Sequence, residues 1–206
     1  MKNLFLMLLT ISSLTYAQTK ENTDKKPVFQ DKDFLLNYYQ QTFDKLEKSI
    51  SGLSEAQMQF HASDSIWSIS QCVEHIILTE DMIFGMLKTD MEKPANPEHK
   101  KDVVNSDEDI IAMVTNRTEK YKAPEMLQTK GKYNDPKTAL QDLKNQRKLI
   151  LEFINKTDIN ELRNRINDSP AGATDAYQSL LFLAGHTARH TLQIDEVKVE
   201  KSFPKK

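Results

Sequence analysis

Apolar residues recur at the helical period in four long segments of this chain, and this pattern limits the fold more than any other feature. The segments cover residues 31–51, 68–88, 136–155 and 174–199. Spacings of three and four residues place the apolar side chains along one face of an α-helix, and such faces are buried against one another. With only 5 glycines in 206 residues, the chain is typical of long helices joined by loops. The sequence therefore predicts an all-α fold, a four-helix bundle.

The segments between the long helices predict turns and shorter helices. Ser68 and Gln71 have the spacing of a capping box, so the second long helix is expected to begin there. Weaker helical patterns occupy residues 55–59 and 106–120, whereas residues 160–172 are predicted to be irregular. These connections are long enough that a simple up-down order of the helices is not assured.

The first 17 residues have the features of a secretory signal peptide. Lys2 precedes an apolar run over residues 4–14, and Ala17 ends a short exit region. The apolar run is too short for a membrane anchor, and no later stretch is apolar enough to span a bilayer. We therefore expect an exported protein, periplasmic or extracellular, with no membrane-spanning segment in the mature chain.

The leader is followed by two regions of different composition. Residues 18–30 are polar and charged, which predicts a flexible arm. The folded helical domain is expected to cover residues 31–200, a normal size for one domain.

Charge and cysteine content exclude two possibilities. The formal charge is -2, and removal of the leader takes away Lys2 and no acid, which gives -3. A negatively charged domain has no electrostatic basis for binding nucleic acid. Cys72 is the single cysteine, so an internal disulfide is excluded and a packed core must provide the stability.

Three of the five histidines lie on helix faces that the predicted bundle buries. His186 and His190 are four residues apart on one apolar stripe of the last helix, and His75 lies on a similar stripe of the second helix. Three imidazoles that converge between helices would bind a metal ion and leave a position open for water or substrate, as in a catalytic site. The alternative is that they are hydrogen-bonded packing residues or solvated side chains, and the spacing alone leaves both open.

Three residues close to these histidines have both a structural and a functional interpretation. Cys72 precedes His75 by one turn and is a candidate soft ligand, but a small packing residue is the preferred interpretation. Gln193 would either orient an imidazole or a bound water, or lie unused at the edge of the stripe. Trp67 is interpreted as an anchor at the end of the bundle, with an aromatic wall at a pocket mouth as the alternative.

The remaining polar candidates are predicted to face solvent. Glu74 and Glu80 fall on other helix faces than the histidines, and Arg189 is expected to form a surface salt bridge, with an anionic substrate as its alternative partner. His61 and His99 fall in predicted loops, where isolated histidines are usually solvated.

Common catalytic motifs are missing from the sequence. It contains no G-x-S-x-G, no P-loop, no G-x-G-x-x-G, no H-E-x-x-H and no paired cysteines. The chemistry that these motifs indicate therefore gains no support.

Two segments taken together resemble the DinB-like superfamily of bacterial four-helix-bundle proteins. One is Trp-Ser-Ile-Ser-Gln-Cys-Val-Glu-His at residues 67–75, and the other is Gly-His-Thr-Ala-Arg-His-Thr-Leu-Gln-Ile at residues 185–194. In that family the first histidine and the later H-x-x-x-H pair bind a divalent metal, often zinc or nickel. The resemblance therefore implies that His75, His186 and His190 are metal ligands. It also implies an up-down-down-up order of the helices.

The resemblance bears on function as well. Members of the family include thiol-dependent transferases and isomerases in which the metal lowers the pKa of a bound thiol. The predicted leader sends this chain away from the cytosol, where such thiols are abundant, and this weakens the transferase interpretation. We expect a metal-dependent hydrolase or thiol-type transferase acting on a small molecule that the sequence does not identify. A non-enzymatic bundle that binds a metal or a small ligand is the alternative, a purely structural protein is a third, and a homodimer is compatible with each.

Overall fold

The computed structural model describes residues 31–170 and 172–205, and most of these residues are helical. The predicted signal peptide, residues 1–17, and the predicted arm, residues 18–30, lie outside the described residues. In chain order the α-helices and strands are α1 Lys32–Ile50, α2 Glu55–Met58, α3 Ile69–Met91, α4 Asp107–Thr115, α5 Pro136–Lys156, α6 Ile159–Arg163, β1 Ile166–Ser169, β2 Gly172–Asp175 and α7 Ala176–Lys198. Two short 3-10 helices, Pro97–Asp102 and Glu125–Leu127, lie in the connections before and after α4. The four long helices α1, α3, α5 and α7 correspond to the four apolar segments of the sequence.

Helix starts are determined by local side-chain caps, as the sequence predicts. At the start of α3, Ser68 accepts from the backbone N–H of Gln71, and the Gln71 side chain accepts from the backbone N–H of Ser68. This confirms the capping box. The same reciprocal pair occurs at the starts of α2 and α4, with Ser54 and Ser106 as the caps. Because each cap satisfies donors that the first turn leaves free, the starting residue is specified locally.

Helices α1 and α7 lie side by side and run in the same direction. Near their starts, Tyr39 Oη donates a hydrogen bond to the Leu180 carbonyl over 3.0 Å. Near their ends, Ser49 Oγ lies 2.5 Å from Asp195 Oδ1. Later residues of α1 therefore lie beside later residues of α7, as in a parallel pair of helices.

Helices α3 and α5 also run in the same direction as each other, and opposite to α7. The Tyr133 N–H, just before α5, bonds Ser70 Oγ over 2.8 Å near the start of α3, and Phe84 meets Phe153 further along both helices. In contrast, Thr187 of α7 meets Glu80 of α3, whereas His190, later in α7, meets His75, earlier in α3, so these two helices run in opposite directions. The four long helices thus follow an up-down-down-up order, and this confirms the expected topology.

An ion pair divides the core of the bundle into two apolar clusters. Arg147 Nη2 lies 2.8 Å from Glu80 Oε1, and both side chains are buried. The same guanidinium donates to the Tyr39 carbonyl, to Thr42 Oγ and to Thr187 Oγ. The prediction that Glu80 faces solvent is therefore wrong. Four hydrogen-bond partners from α1, α3 and α7 compensate the charge of an arginine that α5 contributes.

Helix α4 packs closely on α7 at a glycine. A Cβ atom added to Gly185 would lie 2.4 Å from Val114 Cγ1, which is closer than carbon atoms approach each other in proteins. The absence of a side chain at Gly185 therefore lets α4 approach α7 directly before His186.

The connections differ from the sequence prediction in two places. Residues 160–172 are not wholly irregular, since α6 and the antiparallel pair β1–β2 occupy this region. Asp175 pairs with Ile166 in this sheet, so α7 begins at Ala176 rather than at the predicted Thr174. Helix α4 ends at Thr115 instead of near residue 120 because Asn116 turns out of the helix and its side chain accepts from the Thr118 N–H.

None of the helices in the part of the chain that the structure describes combines the length and apolar character needed to cross a bilayer.

The buried ion pair generates a prediction about stability. Arg147→Met should lower the free energy of unfolding by about 3–5 kcal/mol, because the Glu80 carboxylate then stays buried without a cationic partner. The double variant Glu80→Leu/Arg147→Met should lose less, since it buries no charge. Urea unfolding followed by circular dichroism measures both values, and a double variant less stable than Arg147→Met would contradict the prediction.

Candidate metal centre

Three imidazoles from two antiparallel helices converge at one point of the bundle. His75 comes from α3, whereas His186 and His190 come from successive turns of α7, and all three side chains are buried. The ring centroids are 4.4 Å apart for His186 and His190, 5.0 Å for His75 and His186, and 4.8 Å for His75 and His190. One nitrogen from each ring lies within 4.8 Å of the others. The structure therefore brings together all three histidines that the sequence singled out.

Hydrogen bonds at Nδ1 determine which nitrogen of two of these rings presents a lone pair. His75 Nδ1 lies 2.9 Å from the Leu127 carbonyl, and His190 Nδ1 lies 2.9 Å from Gln193 Oε1. Both partners are oxygen acceptors, so each Nδ1 carries the proton and each Nε2 presents a lone pair. One of the two interpretations of Gln193, orientation of an imidazole, is thus confirmed.

The spacing of the nitrogens fits a metal ion, and the surrounding protein leaves one of the rings incompletely hydrogen-bonded. The Nε2 atoms of His186 and His190 are 3.1 Å apart. Two nitrogens bound at about 2.0–2.1 Å to one tetrahedral ion lie about 3.3 Å apart, close to this value. His186 Nδ1 is buried and has no hydrogen-bond partner among the described residues, so the surrounding protein does not satisfy this ring as an ordinary packing residue. The donor set and its geometry can therefore hold one ion.

Burial keeps the three rings neutral. Burial, with smaller contributions from His75 and Arg189, lowers the pKa of His186 from 6.5 to about 3. The pKa of His190 is also well below its ordinary value, mainly through burial and then through the other two histidines. Burial lowers the pKa of His75 as well, and the hydrogen bond to Leu127 opposes this. Neutral imidazole is the form that binds metal, so the cluster is prepared for it near neutral pH.

Aromatic rings surround the cluster, and one of them, Trp67, also lines a cleft that none of the three histidines lines. The Trp67 ring lies 4.9 Å from His75 and 6.1 Å from His190, and Phe182 stacks on His186 at 5.9 Å. Trp67 also lines a cleft of about 260 Å³, together with His61, Asp64, Gln71, Lys122, Ala123, Gln128 and Thr129. Trp67 therefore forms an aromatic wall at a pocket, which was the alternative interpretation of this residue.

Cys72 and the two other histidines stay outside the cluster. Cys72 is fully buried in the apolar core, and burial raises the pKa of its thiol to about 12, so it is a packing residue as preferred. His61 and His99 are exposed, as expected. His61 lies in a loop as predicted, whereas His99 lies in the 3-10 helix Pro97–Asp102.

The prediction that Glu74 and Arg189 face solvent is wrong. Arg189 is buried and donates to the backbone carbonyls of Asn116 and Glu119 rather than forming a surface salt bridge. Glu74 is partly buried, and its Oε2 accepts from three consecutive backbone N–H groups at residues 130–132. Gly131 in that turn has φ of 78°, and this glycine is the feature of the sequence that could have indicated a turn whose N–H groups surround a carboxylate.

The fold and the cluster define a class, a helical bundle with an up-down-down-up order and three converging imidazoles. A family model described as the DinB superfamily matches residues 38–194. This match spans most of the sequence, and the chain belongs to the DinB superfamily. No curated protein matches the chain.

A solved structure shares the fold. YfiT from Bacillus subtilis superposes with a TM-score of 0.52 at 14% sequence identity, and the alignment covers 81% of this chain and 85% of YfiT. YfiT is described as a probable metal-dependent hydrolase with an unusual four-helix bundle topology. At this identity the similarity establishes the fold.

The low pKa of His186 predicts how stability depends on pH in the metal-free protein. Because the pKa falls from 6.5 to about 3 on folding, the unfolded chain binds more protons at acidic pH. Stability contributed by the neutral ring is complete above pH 6.5 and is lost as the pH falls toward 3. Between about pH 7 and pH 5 the free energy of unfolding should fall by about 2 kcal/mol for this ring alone.

Urea unfolding of chelator-treated protein at several pH values measures this dependence. In His186→Gln the slope against pH should be smaller, since one titrating ring is gone. An unchanged slope in that variant would show that His186 does not carry the effect.

Proposed function

We propose that His75, His186 and His190 bind one divalent metal ion, with zinc or nickel as the preferred metals. The observation that carries the proposal is the convergence of three neutral imidazoles from α3 and α7. Supporting it are the two Nδ1–H groups that are already bonded to oxygen, which leave Nε2 of each ring as a ligand atom. With three protein ligands the ion keeps at least one position for water or substrate.

We further propose that the protein is a metal-dependent hydrolase, with transfer to a thiol as the second candidate reaction. When bound by three neutral ligands, a divalent ion retains its full charge and lowers the pKa of a water or thiol beside it. The protein's own contribution is to keep the imidazoles neutral, to present their Nε2 lone pairs and to exclude bulk water with Trp67 and Phe182. The description of YfiT as a probable metal-dependent hydrolase supports this proposal.

The cleft beside Trp67 is the proposed place for the substrate. Its volume of about 260 Å³ suits a small molecule or one end of a larger one. Its lining combines the indole with the ammonium of Lys122, the carboxylate of Asp64 and the amide of Gln128. We therefore propose a small polar substrate rather than an extended apolar one.

Export by the signal peptide at residues 1–17 remains part of the proposal. The order of charge, apolar run and small-residue exit in the sequence supports it. An exported protein meets little of the low-molecular-weight thiol found in the cytosol, and this favours hydrolysis over thiol transfer.

Metal binding has a direct test. Protein purified without an affinity tag should contain about one ion per chain by elemental analysis. His186→Ala should lose the metal, with affinity lower by more than about 100-fold, since loss of a group that only orients a ligand already costs about 10–100-fold. His99→Ala is the matched control, because this histidine is exposed and lies outside the cluster. Equal metal content in His186→Ala and in the unmodified protein would remove the proposal.

Catalysis is tested on metal-loaded protein with two substrate sets. One contains esters, amides and phosphoesters in water, and the other contains a thiol with an electrophile. Hydrolysis that requires the metal and is lost in His186→Ala supports the hydrolase. Metal-dependent consumption of the thiol supports the transferase. Reversible, stoichiometric binding without turnover would instead identify a non-enzymatic binding protein.

A further inference from the structure

Arg117 extends from the segment after α4 to two residues of α7. Its Nε and Nη2 atoms lie 3.1 Å and 2.6 Å from the two carboxylate oxygens of Glu196. Its third nitrogen, Nη1, lies 3.4 Å from Gln193 Oε1. The Arg117 side chain is 17% exposed and the Glu196 side chain is 55% exposed, so the guanidinium is largely buried while its carboxylate partner faces solvent. The two bonds between Arg117 and Glu196 are called the Arg117 fork. Two bonds to Glu196 fix the plane of the guanidinium and thereby direct Nη1 to Gln193.

Gln193 Oε1 is shared between Arg117 and a member of the histidine cluster. The same oxygen lies 2.9 Å from His190 Nδ1. A glutamine amide can turn over and present its NH2 group in place of its oxygen. If it did so here, the NH2 group would face the guanidinium, which only donates, and would require a lone pair on His190 Nδ1. The proton of His190 would then move to Nε2, the nitrogen that faces His186.

We infer that Arg117 is a positioning residue that keeps His190 in its Nδ1–H form by acting through Gln193. Because the guanidinium can only donate, it favours the amide orientation in which Gln193 Oε1 faces both Arg117 and His190. In that orientation the oxygen can accept from His190 only if Nδ1 carries the proton. The inference rests on the proposed function in one respect, since His190 Nε2 must be the metal-binding atom for the tautomer to matter.

His75 and His190 differ in the kind of group that accepts from Nδ1. His75 Nδ1 bonds the Leu127 carbonyl, which is a main-chain oxygen and cannot exchange with a donor. His190 bonds a side-chain amide that has two possible orientations. Arg117 therefore acts on His190, because of these two ligands only His190 has a partner that could also favour the other tautomer.

The test compares Arg117→Met with the same change in a Gln193→Glu background. The metal-free tautomer of His190 is measured by nitrogen-15 NMR, and zinc affinity is measured by competition with a chelator. Arg117→Met alone should mix the two tautomers and weaken zinc binding by about 3- to 10-fold, less than the roughly 10–100-fold typical of a direct partner. In the Gln193→Glu background the side chain has no NH2 group that could turn inward, so Arg117→Met should change the tautomer little.

Lys198→Met is the matched control on α7, the helix that carries Gln193. Lys198 pairs with Asp195 over 3.3 Å and does not contact the Arg117 fork. This variant should retain the tautomer and the zinc affinity of the unmodified protein. If Arg117→Met does not fold, Glu196→Gln loosens the fork from its other side and should shift the tautomer in the same direction.

Two results would overturn the inference. One is an unchanged His190 tautomer in Arg117→Met, and the other is an equally large effect of Arg117→Met in the Gln193→Glu background. Absence of zinc binding in the unmodified protein would instead remove the proposed function. The tautomer of the metal-free protein would still decide whether Arg117 acts on His190.

Discussion

Glu80 and Arg147 meet in the middle of the bundle, and their contact determines how the long helices align. The carboxylate on α3 bonds both the guanidinium of α5 and the hydroxyl of Thr187 on α7. Thr187 directly follows His186, and Glu80 lies little more than one turn after His75. A shift of α3 along α7 would break this buried network and separate the imidazoles as well. The alignment that satisfies the charge is therefore the one that assembles the candidate metal centre.

Local patterns predict the long helices and the histidine cluster well. The apolar period predicts four helices, and the capping box at Ser68 predicts the start of α3. Spacing also places His186 and His190 on one stripe. The direction of the helices came from the family resemblance, because periodicity contains no information about which helices are parallel. The metal itself stays a proposal, although the convergence of the rings that it requires is present.

The burial and hydrogen-bond partners of some side chains depend on residues far away in the sequence, and these could not be predicted. Glu80 was assigned to solvent because its partner, Arg147, is 67 residues away and nothing in the sequence links them. Glu74 and Arg189 bind backbone groups of the segment between α4 and α5, whose path has no sequence period. The strands β1 and β2 are only 4 residues each and largely polar, so they lack the alternation that predicts a sheet.

The close packing at Gly185 connects the backbone of α7 to the surroundings of the cluster. Any side chain there would clash with the Val114 side chain, so that Val114 or α4 as a whole would have to shift. Arg117 lies two residues beyond the end of α4, so a shift of the helix would also move the guanidinium relative to Gln193. If Arg117 has the role inferred above, a substitution at Gly185 that displaces α4 would change the tautomer of His190 as well as the packing of the two helices.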